Sequence, residues 1–584
     1  MVKCYKKDYY RPQFVRNNSI DLCGEWNFVF DDEKVGEKNK FYKDFPNESL
    51  KIVVPFSYET PNSKIFDENH HEVVWYRKEV KFTKKENERI IIHFEGADYY
   101  TKLWVNGEFV GLNKGGHHRF SYDITNYLKE NENNELVVEC IDTMDTTQPR
   151  GKQRWLKNSF GCWYVQTTGI WKPVWCEVVN NYYLKNVKMT PSFDNENITF
   201  EYNFDEIIDG LEIETEVSFD NVLICKNRNY INRKSLINVM DLRCNEFDFK
   251  IKTWEVGNPN LYDVKFKVYL NDELIDEVGS YFGLRKIAVD ANQIKLNNHP
   301  IYQKLILAQN YWRESGLTVP SEEAIIYDLE MLKKAGFNGL RIHQKIEDER
   351  FLYYCDVMGL IVWGEYPATY EFNDQAIENL TDEWVKVVKQ FYNHPSIITW
   401  VPFNESWGIP DVYSSKEQQN FTEGIYKLTK SIDTTRLVIT NDGWEHTISD
   451  ILTLHDYGSS GAKMKEKYCD RIEDVCNNVI AHGDYKYAFT NNHSYCGQPI
   501  IISEYGGLAL EGSDGWGYND KMSSVEKLVE KYKELTLAIK SSKNICGFVY
   551  TQLTDTYQET NGLLDFDHKP KLDLNKIKEI NDMN

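Results

Sequence analysis

Positive charge is what this chain most lacks. Its 68 Lys and Arg stand against 90 Asp and Glu, a formal net charge of -22, so it has no basic footprint for a nucleic acid or an anionic bilayer, both of which demand one. Long apolar runs are missing too, and no window approaches the roughly 20 apolar residues of a membrane span. The opening MVKCYKKDYYRPQF carries basic residues but no apolar core of the length a signal peptide needs. These absences lead to the expectation of a cytoplasmic protein with no nucleic-acid and no membrane partner. The 12 cysteines hold no C-x-x-C pair and the 13 histidines no H-E-x-x-H, so neither a structural zinc nor a catalytic metal is expected. The thiols read as small buried hydrophobes in a reducing compartment, and no cofactor is called for.

What is present is enough chain, at 584 residues, for two to four domains. Its 15 Trp and 38 Tyr read chiefly as filling for sandwich cores, although such rings also make carbohydrate faces. Residues 1–180 show short alternating strands, VVWYRKEVKF (Val73 to Phe82) and ELVVECID (Glu135 to Asp142) among them, and a hairpin on Asn106-Gly107. A jelly-roll β-sandwich is the reading. Residues 181–285 give strands at the spacing of an immunoglobulin-like β-sandwich, through VKMTPSF, ITFEYNF, LEIETEVSF and YDVKFKVYL.

From residue 286 to 584 the period changes. SEEAIIYDLEMLKKAG (Ser321 to Gly336) has a capping Ser, early acids, helical apolar spacing and a closing Gly. Strand candidates then alternate with helices: KLILAQ, GLRIH, LIVWGE, IITWVPFNE, RLVITN, ILTLHDY, IIISEY and GFVYTQL. Eight is the number that closes a (β/α)8 TIM barrel. The helices of the fifth and sixth units are poorly marked. A doubly wound sheet is the alternative, but no glycine-rich phosphate loop follows the first strand.

Two of these strands are apolar runs that stop at a glutamate: Ile397 to Trp407, IITWVPFNESW, ends at Asn404-Glu405, and Pro499 to Gly507, PIIISEYGG, ends at Glu504. A carboxylate there must be solvated, paired or used, since burying it alone is costly. In a parallel barrel, strand ends converge on one mouth, so strands four and seven present two carboxyls across a shared space. Glycoside hydrolysis needs such a pair, one protonated and one ionised.

At this point the chain resembles glycoside hydrolase family 2, the β-galactosidase and β-glucuronidase family, through VNG (Val105 to Gly107), QTTGIWKPVW (Gln166 to Trp175), FNESWG and SEYGG. The resemblance implies that Glu405 is the general acid/base, Glu504 the nucleophile of a retaining mechanism, and Asn404 the group that holds the sugar 2-hydroxyl. Other strand ends supply candidate hydroxyl readers: Arg341 and His343 on strand two, Trp363 and Glu365 on strand three, His455 and Tyr457 on strand six. Tyr457 is also placed to hydrogen-bond the nucleophile and keep it ionised. Loops at Asn310 to Pro320, Thr551 to Lys571 and, from the jelly-roll, Pro149 to Tyr164 are expected to shape the pocket.

Glucuronidases of the family carry an Asn-x-Lys motif near the end of the barrel. The corresponding stretch here, QETNGLLDFDHKPK, has none, so β-galactosidase is the leading specificity. β-Glucuronidase, β-mannosidase, arabinosidase and galactofuranosidase are the alternatives within the family, and a non-catalytic carbohydrate-binding protein the alternative outside it. The partner expected is an oligosaccharide or glycoside. A homo-oligomer is compatible with the resemblance.

Overall fold

The computed structural model describes residues 2–243, 251–483 and 485–583. The first layer is a β-sandwich of a six-stranded and a four-stranded antiparallel sheet between Ser19 and Asn180. Alternate residues of the facing strands, Trp26, Phe28, Tyr76, Ile92, Leu103 and Val138 among them, fill the space between the sheets. The expected hairpin joins Tyr100–Val105 to Glu108–Lys114. Asn106 and Gly107 both take positive φ, 52° and 80°, as the twist-matched two-residue turn requires.

A three-stranded and a four-stranded sheet between Leu184 and Phe282 form the second sandwich, cored by Phe200, Tyr202, Ile213 and Phe266. The two sandwiches share one buried cation. Arg16 Nη1 lies 3.2 Å from Glu177 of the first, Nη2 lies 2.8 Å from Asp276 of the second, and the arginine side chain is 3% exposed.

The third unit is the barrel. Its strands are β1 (Gln303–Ala308), β2 (Gly339–Ile342), β3 (Ile361–Glu365), β4 (Ile397–Val401), β5 (Leu437–Val438), β6 (Leu452–Asp456), β7 (Ile500–Gly506) and β8 (Ile545–Thr551). They form one parallel sheet in the order β5-β4-β3-β2-β1-β8-β7-β6, so all eight strands expected from the sequence are present. The two ends of the sheet meet where Asp450 N donates to Val438 O at 2.9 Å and His455 N to Gly443 O at 3.1 Å. Helices Glu322–Lys334, Glu349–Met358, Asp374–Gln390, Lys416–Ile432 and Val525–Lys540 cover the outside, each opening on a Ser, Asp or Asn whose side chain accepts a backbone N–H of the first turn. The poorly marked fifth unit has no helix between β5 and β6, and among the described residues the sixth has only short helical pieces, Gly461–Lys465 and Ile472–Cys476 joined by a π-helical turn over Glu466–Asp470. No helix among the described residues is long and apolar enough to cross a membrane.

Inside the barrel, Leu305, Ile361, Trp363, Ile398, Ile501 and Val549 pack as an apolar plug. This corrects the expectation for Trp363. It points inward but one layer below Glu365, fully buried, and its Nε1 donates to Gln303 Oε1 at 2.8 Å. It belongs to the core rather than to the mouth.

The shared cation between the sandwiches gives a stability test. Arg16→Met leaves Glu177 and Asp276 buried without their counter-charge, a loss of about 3–5 kcal/mol. The expected result is a lower urea midpoint by circular dichroism; an unchanged midpoint contradicts the bridging role.

Candidate active site

The mouth of the barrel is organised by Arg341, the inward residue one position before the end of β2. It is fully buried, and its guanidinium reaches Glu504 Oε1 at 2.5 Å, Asn404 Oδ1 at 2.7 Å, Glu365 Oε2 at 2.7 Å and Asp442 Oδ2 at 2.9 Å. A fork of five donors suits several acceptors at fixed angles in a way an ammonium does not. Residues from β2, β3, β4, β5 and β7 are thereby drawn to one point.

Backbone irregularities aim the two glutamates. The β6–β7 ladder shifts register between Leu454 and His455, and the β7–β8 ladder between Ile502 and Tyr505, so Glu504 stands at a bulge, a device that re-aims a side chain. After β4 the pairing continues as Phe403–Asn404 against Asn441–Asp442. The chain then turns through two left-handed residues, Glu405 at φ 52° and Ser406 at φ 60°. Asn441 and Asp442 hold that turn, since Glu405 N donates to Asp442 O at 2.9 Å and Ser406 N to Asn441 Oδ1 at 3.0 Å. Such a conformation costs a non-glycine residue about 1–3 kcal/mol and persists only where its surroundings impose it.

His455 lies between the two acids. Its Nδ1 is 2.7 Å from Glu405 Oε1 and 3.5 Å from Glu504 Oε2, while Nε2 is 3.3 Å from Asp442 Oδ2. Burial disfavours the imidazolium, but Glu504, Asp442 and the hydrogen bond to Glu405 outweigh it and raise the imidazole to about 10. For Glu504 burial again opposes the charge, and His455, Arg341 and the Tyr457 hydroxyl prevail, holding the carboxyl down at about 2. The Tyr457 hydroxyl donates to Glu504 Oε2 and sits 3.1 Å from Thr551 Oγ1, and its ring stacks on Tyr518 with centroids 3.5 Å apart. Glu365 behaves differently: burial pushes its carboxyl up to about 8 despite Arg341. His343 is kept well below its ordinary value by burial, with Lys152 and Arg341 adding to the effect; it is a neutral imidazole whose Nδ1 lies 3.0 Å from Glu365 Oε1.

One oxygen each of Glu405 and Glu504 and a ring nitrogen of His455 all lie within 4.8 Å of one another. These are donor types that metals use. Beside them opens a cavity of about 810 Å³ lined by Glu405, Trp407, Trp444, His455, Tyr457 and Tyr518.

Of the residues expected at the site, Glu405, Glu504, Asn404, Arg341, Glu365, His343, His455 and Tyr457 converge; Trp363 does not. Asp456 turns away to Lys467 and Tyr468, each at 2.6 Å. Sequence reasoning missed Asp442, which follows RLVITN by a single residue and completes the charge around Arg341 and His455. It also left unnamed the residues of the flagged loops. In the jelly-roll loop, Gly151 N donates to Ala368 O at 3.1 Å after β3, and Trp163 stands edge-on to Trp407 at 5.2 Å. In the loop after β8, Glu559 is buried, with its Oε2 accepting from Gln309 and Gln552 at 3.2 Å.

Comparison with known proteins agrees with this architecture. Residues 20–175 match the model described as glycosyl hydrolases family 2, sugar binding domain; residues 182–285 match glycosyl hydrolases family 2; residues 287–583 match its TIM barrel domain. A β-galactosidase of Thermoanaerobacter pseudethanolicus is 27% identical over 452 residues, 74% of this chain and 57% of the relative. A β-glucuronidase of Streptococcus agalactiae is 25% identical over 546 residues, 85% of this chain and 83% of the relative. The chain thus spans little more than half the length of the first of these. Among solved structures, a β-glucuronidase from Ruminococcus gnavus in complex with D-glucuronic acid superposes with a TM-score of 0.79 at 18% identity, covering 98% of this chain and 99% of that one; this is a likeness of fold.

The charge cluster predicts a pH signature. Glu504 is depressed to about 2 and Asp442 lies below the usual carboxylate range, with Arg341 a main cause of each. Their contribution to stability is present in full above the unfolded value of about 4 and is lost as the pH falls through the folded values. Arg341→Met removes it. The variant is expected to be less stable by about 3–5 kcal/mol at pH 7, with the deficit narrowing as the pH falls from about 4 toward 2. Urea midpoints of both proteins across that range test this; a deficit that is constant or widens in acid contradicts it.

Proposed function

Since the chain belongs to glycoside hydrolase family 2, we propose that it is a retaining β-glycosidase acting on terminal, neutral sugars, with β-galactosides the first choice. The observation that carries the reading is the Glu405–Glu504 pair, with oxygens within 4.8 Å across the mouth. Retaining enzymes hold their carboxyls about 5–5.5 Å apart, whereas inverting ones need about 6.5–9.5 Å to admit a water.

In this mechanism Glu504, ionised by His455, Arg341 and Tyr457, attacks the anomeric carbon. Glu405 arrives protonated and gives its proton to the departing glycosidic oxygen. The carboxylate so formed is left 2.7 Å from His455 Nδ1, and the imidazolium stabilises the charge as it develops. Water then enters, Glu405 takes its proton, and attack on the anomeric carbon releases Glu504 and the sugar with net retention. Asn404 has its Oδ1 on Arg341, so the carboxamide is fixed and its Nδ2 is free to hold the 2-hydroxyl.

A neutral sugar is favoured by the charge balance. With Glu405 protonated, Glu504 and Asp442 are matched by Arg341 and His455, so a uronate would bring an unmatched negative charge to a set that is already neutral. The loop after β8 lacks Asn-x-Lys and buries the acid Glu559.

Glu504→Gln is expected to abolish turnover of aryl glycosides while the chain still folds, with a lowered melting temperature because Arg341 and His455 lose their shared counter-charge. Glu405→Ala should slow poor leaving groups far more than activated ones, and equal loss across leaving groups contradicts its role as the acid. A 2-fluoro glycoside should label Glu504, read by peptide mass spectrometry; labelling at another carboxylate overturns the assignment. A panel of aryl β-galactoside, β-glucuronide, β-mannoside, arabinoside and galactofuranoside fixes the sugar. Activity on none of them favours the binding-only alternative.

A further inference from the structure

One buried acid beside the mouth takes no part in the mechanism. Glu445, just beyond Asp442 in the segment between β5 and β6, is 5% exposed and stands on a left-handed backbone of its own, φ 50°. Its Oε2 accepts from the Ser406 hydroxyl at 2.6 Å, and its Oε1 lies 2.9 Å from Lys486 Nζ. Ser406 is the second of the two left-handed residues that turn the chain at Glu405. A buried carboxylate needs a counter-charge. Lys486 supplies it from the wall of the cavity, where its side chain is 34% exposed.

Two features set this contact apart from ordinary packing. Backbone hydrogen bonds already hold the segment that carries Glu445: Glu445 N donates to Tyr487 O at 2.8 Å, His446 N to Ala488 O at 2.9 Å and His455 N to Gly443 O at 3.1 Å. Its carboxylate is therefore left for Ser406 and Lys486. The second feature is Ser406 itself, a serine in the left-handed region where glycine is the ordinary choice. Its N donates to Asn441 Oδ1 at 3.0 Å, and its Oγ, besides donating to Glu445, accepts from Asn441 Nδ2 at 3.1 Å. Of these bonds the one to Glu445 has an ionised acceptor, which makes it about twice as strong as a neutral one.

Building on the reading of Glu405 as the general acid of a glycosidase, we propose that Glu445 is a positioning residue for that acid. Through the Ser406 hydroxyl it fixes the turn from which the Glu405 carboxyl reaches the departing glycosidic oxygen, and Lys486 balances its charge. Glu405 and Ser406 line the cavity, and Glu445 stands behind them. Proton donation demands a donor within hydrogen-bond reach of the leaving oxygen, and a misplacement of about 1 Å can cost about 100-fold. His455 holds the carboxyl end of Glu405 at 2.7 Å, while Glu445 holds its backbone end. A looser turn weakens proton donation. Attack by Glu504 is affected far less, because Arg341 and Tyr457 hold that carboxylate from other strands.

The test compares kcat/KM for a dinitrophenyl glycoside, whose leaving group needs little protonation, with that for the phenyl glycoside of the same sugar. The proteins are the wild type, Glu445→Ala, Ser406→Ala, the two combined, Glu445→Gln and Glu405→Ala. A ratio of two substrates on one preparation does not depend on how much of it is folded. Glu445→Ala and Ser406→Ala should each raise the dinitrophenyl-to-phenyl ratio by about 10- to 100-fold. The double variant should raise it no further, because both changes remove one hydrogen bond. Glu445→Gln keeps an oxygen for the Ser406 hydroxyl and should bring the ratio back to within about threefold of the wild type. An unchanged ratio in Glu445→Ala, as a merely structural loss would give, overturns the proposal. So do effects that add in the double variant, or a ratio in Glu445→Gln no lower than in Glu445→Ala. If Glu405→Ala itself leaves the ratio unchanged, or the wild type hydrolyses no glycoside, the assignment of the acid fails first and the positioning role falls with it.

Discussion

A guanidinium sealed in a protein interior must be matched on every side, because the penalty for an unpaired buried charge is several kcal/mol. At Arg341 that requirement is met by groups from four other barrel strands or their extensions. The side chain that neutralises Glu504 also fixes Asn404 and touches Asp442, which in turn holds the turn that presents Glu405. Position and charge are thus set by one interaction, and neither acid can be moved without disturbing the other.

The same economy appears in the protonation states. Five carboxyls stand around the mouth, and burial acts against the charged form of each that is sealed from water. What separates them is the cation each one meets. Glu504 and Asp442 share Arg341 and His455 and stay ionised, while Glu365 meets Arg341 among two other acids and is driven up. The imidazolium of His455 is sustained by the acids that it serves, so the charges of the cluster are mutually dependent rather than individually tuned.

Much of this was legible in the sequence. All eight barrel strands could be found because a strand buried on both faces reads as an unbroken apolar run, and a glutamate terminating such a run is conspicuous at Glu405 and Glu504. Trp363 shows the limit. Its two-residue offset from Glu365 correctly gives the inward face, but depth along the barrel axis depends on shear between strands, which no single strand records. Asp442 escaped because β5 is only Leu437–Val438, too short for its pattern to carry to the residue that matters. Lys152 lay within a loop flagged for its density of aromatic and basic groups, and Glu559 within one flagged for following the last strand. Their place comes from contacts between distant segments, which local patterns do not encode.

The loop that carries Lys152 has a consequence for how the molecule is made. Domains form in order as a chain leaves the ribosome, the first sandwich well before the barrel. Trp163, in the same loop, is therefore in its folded domain before Trp407, the barrel ring it meets edge-on, has been synthesised. That contact between domains is completed only as the loop after β4 emerges, and a chain still short of β7 holds one of the two glutamates without the other.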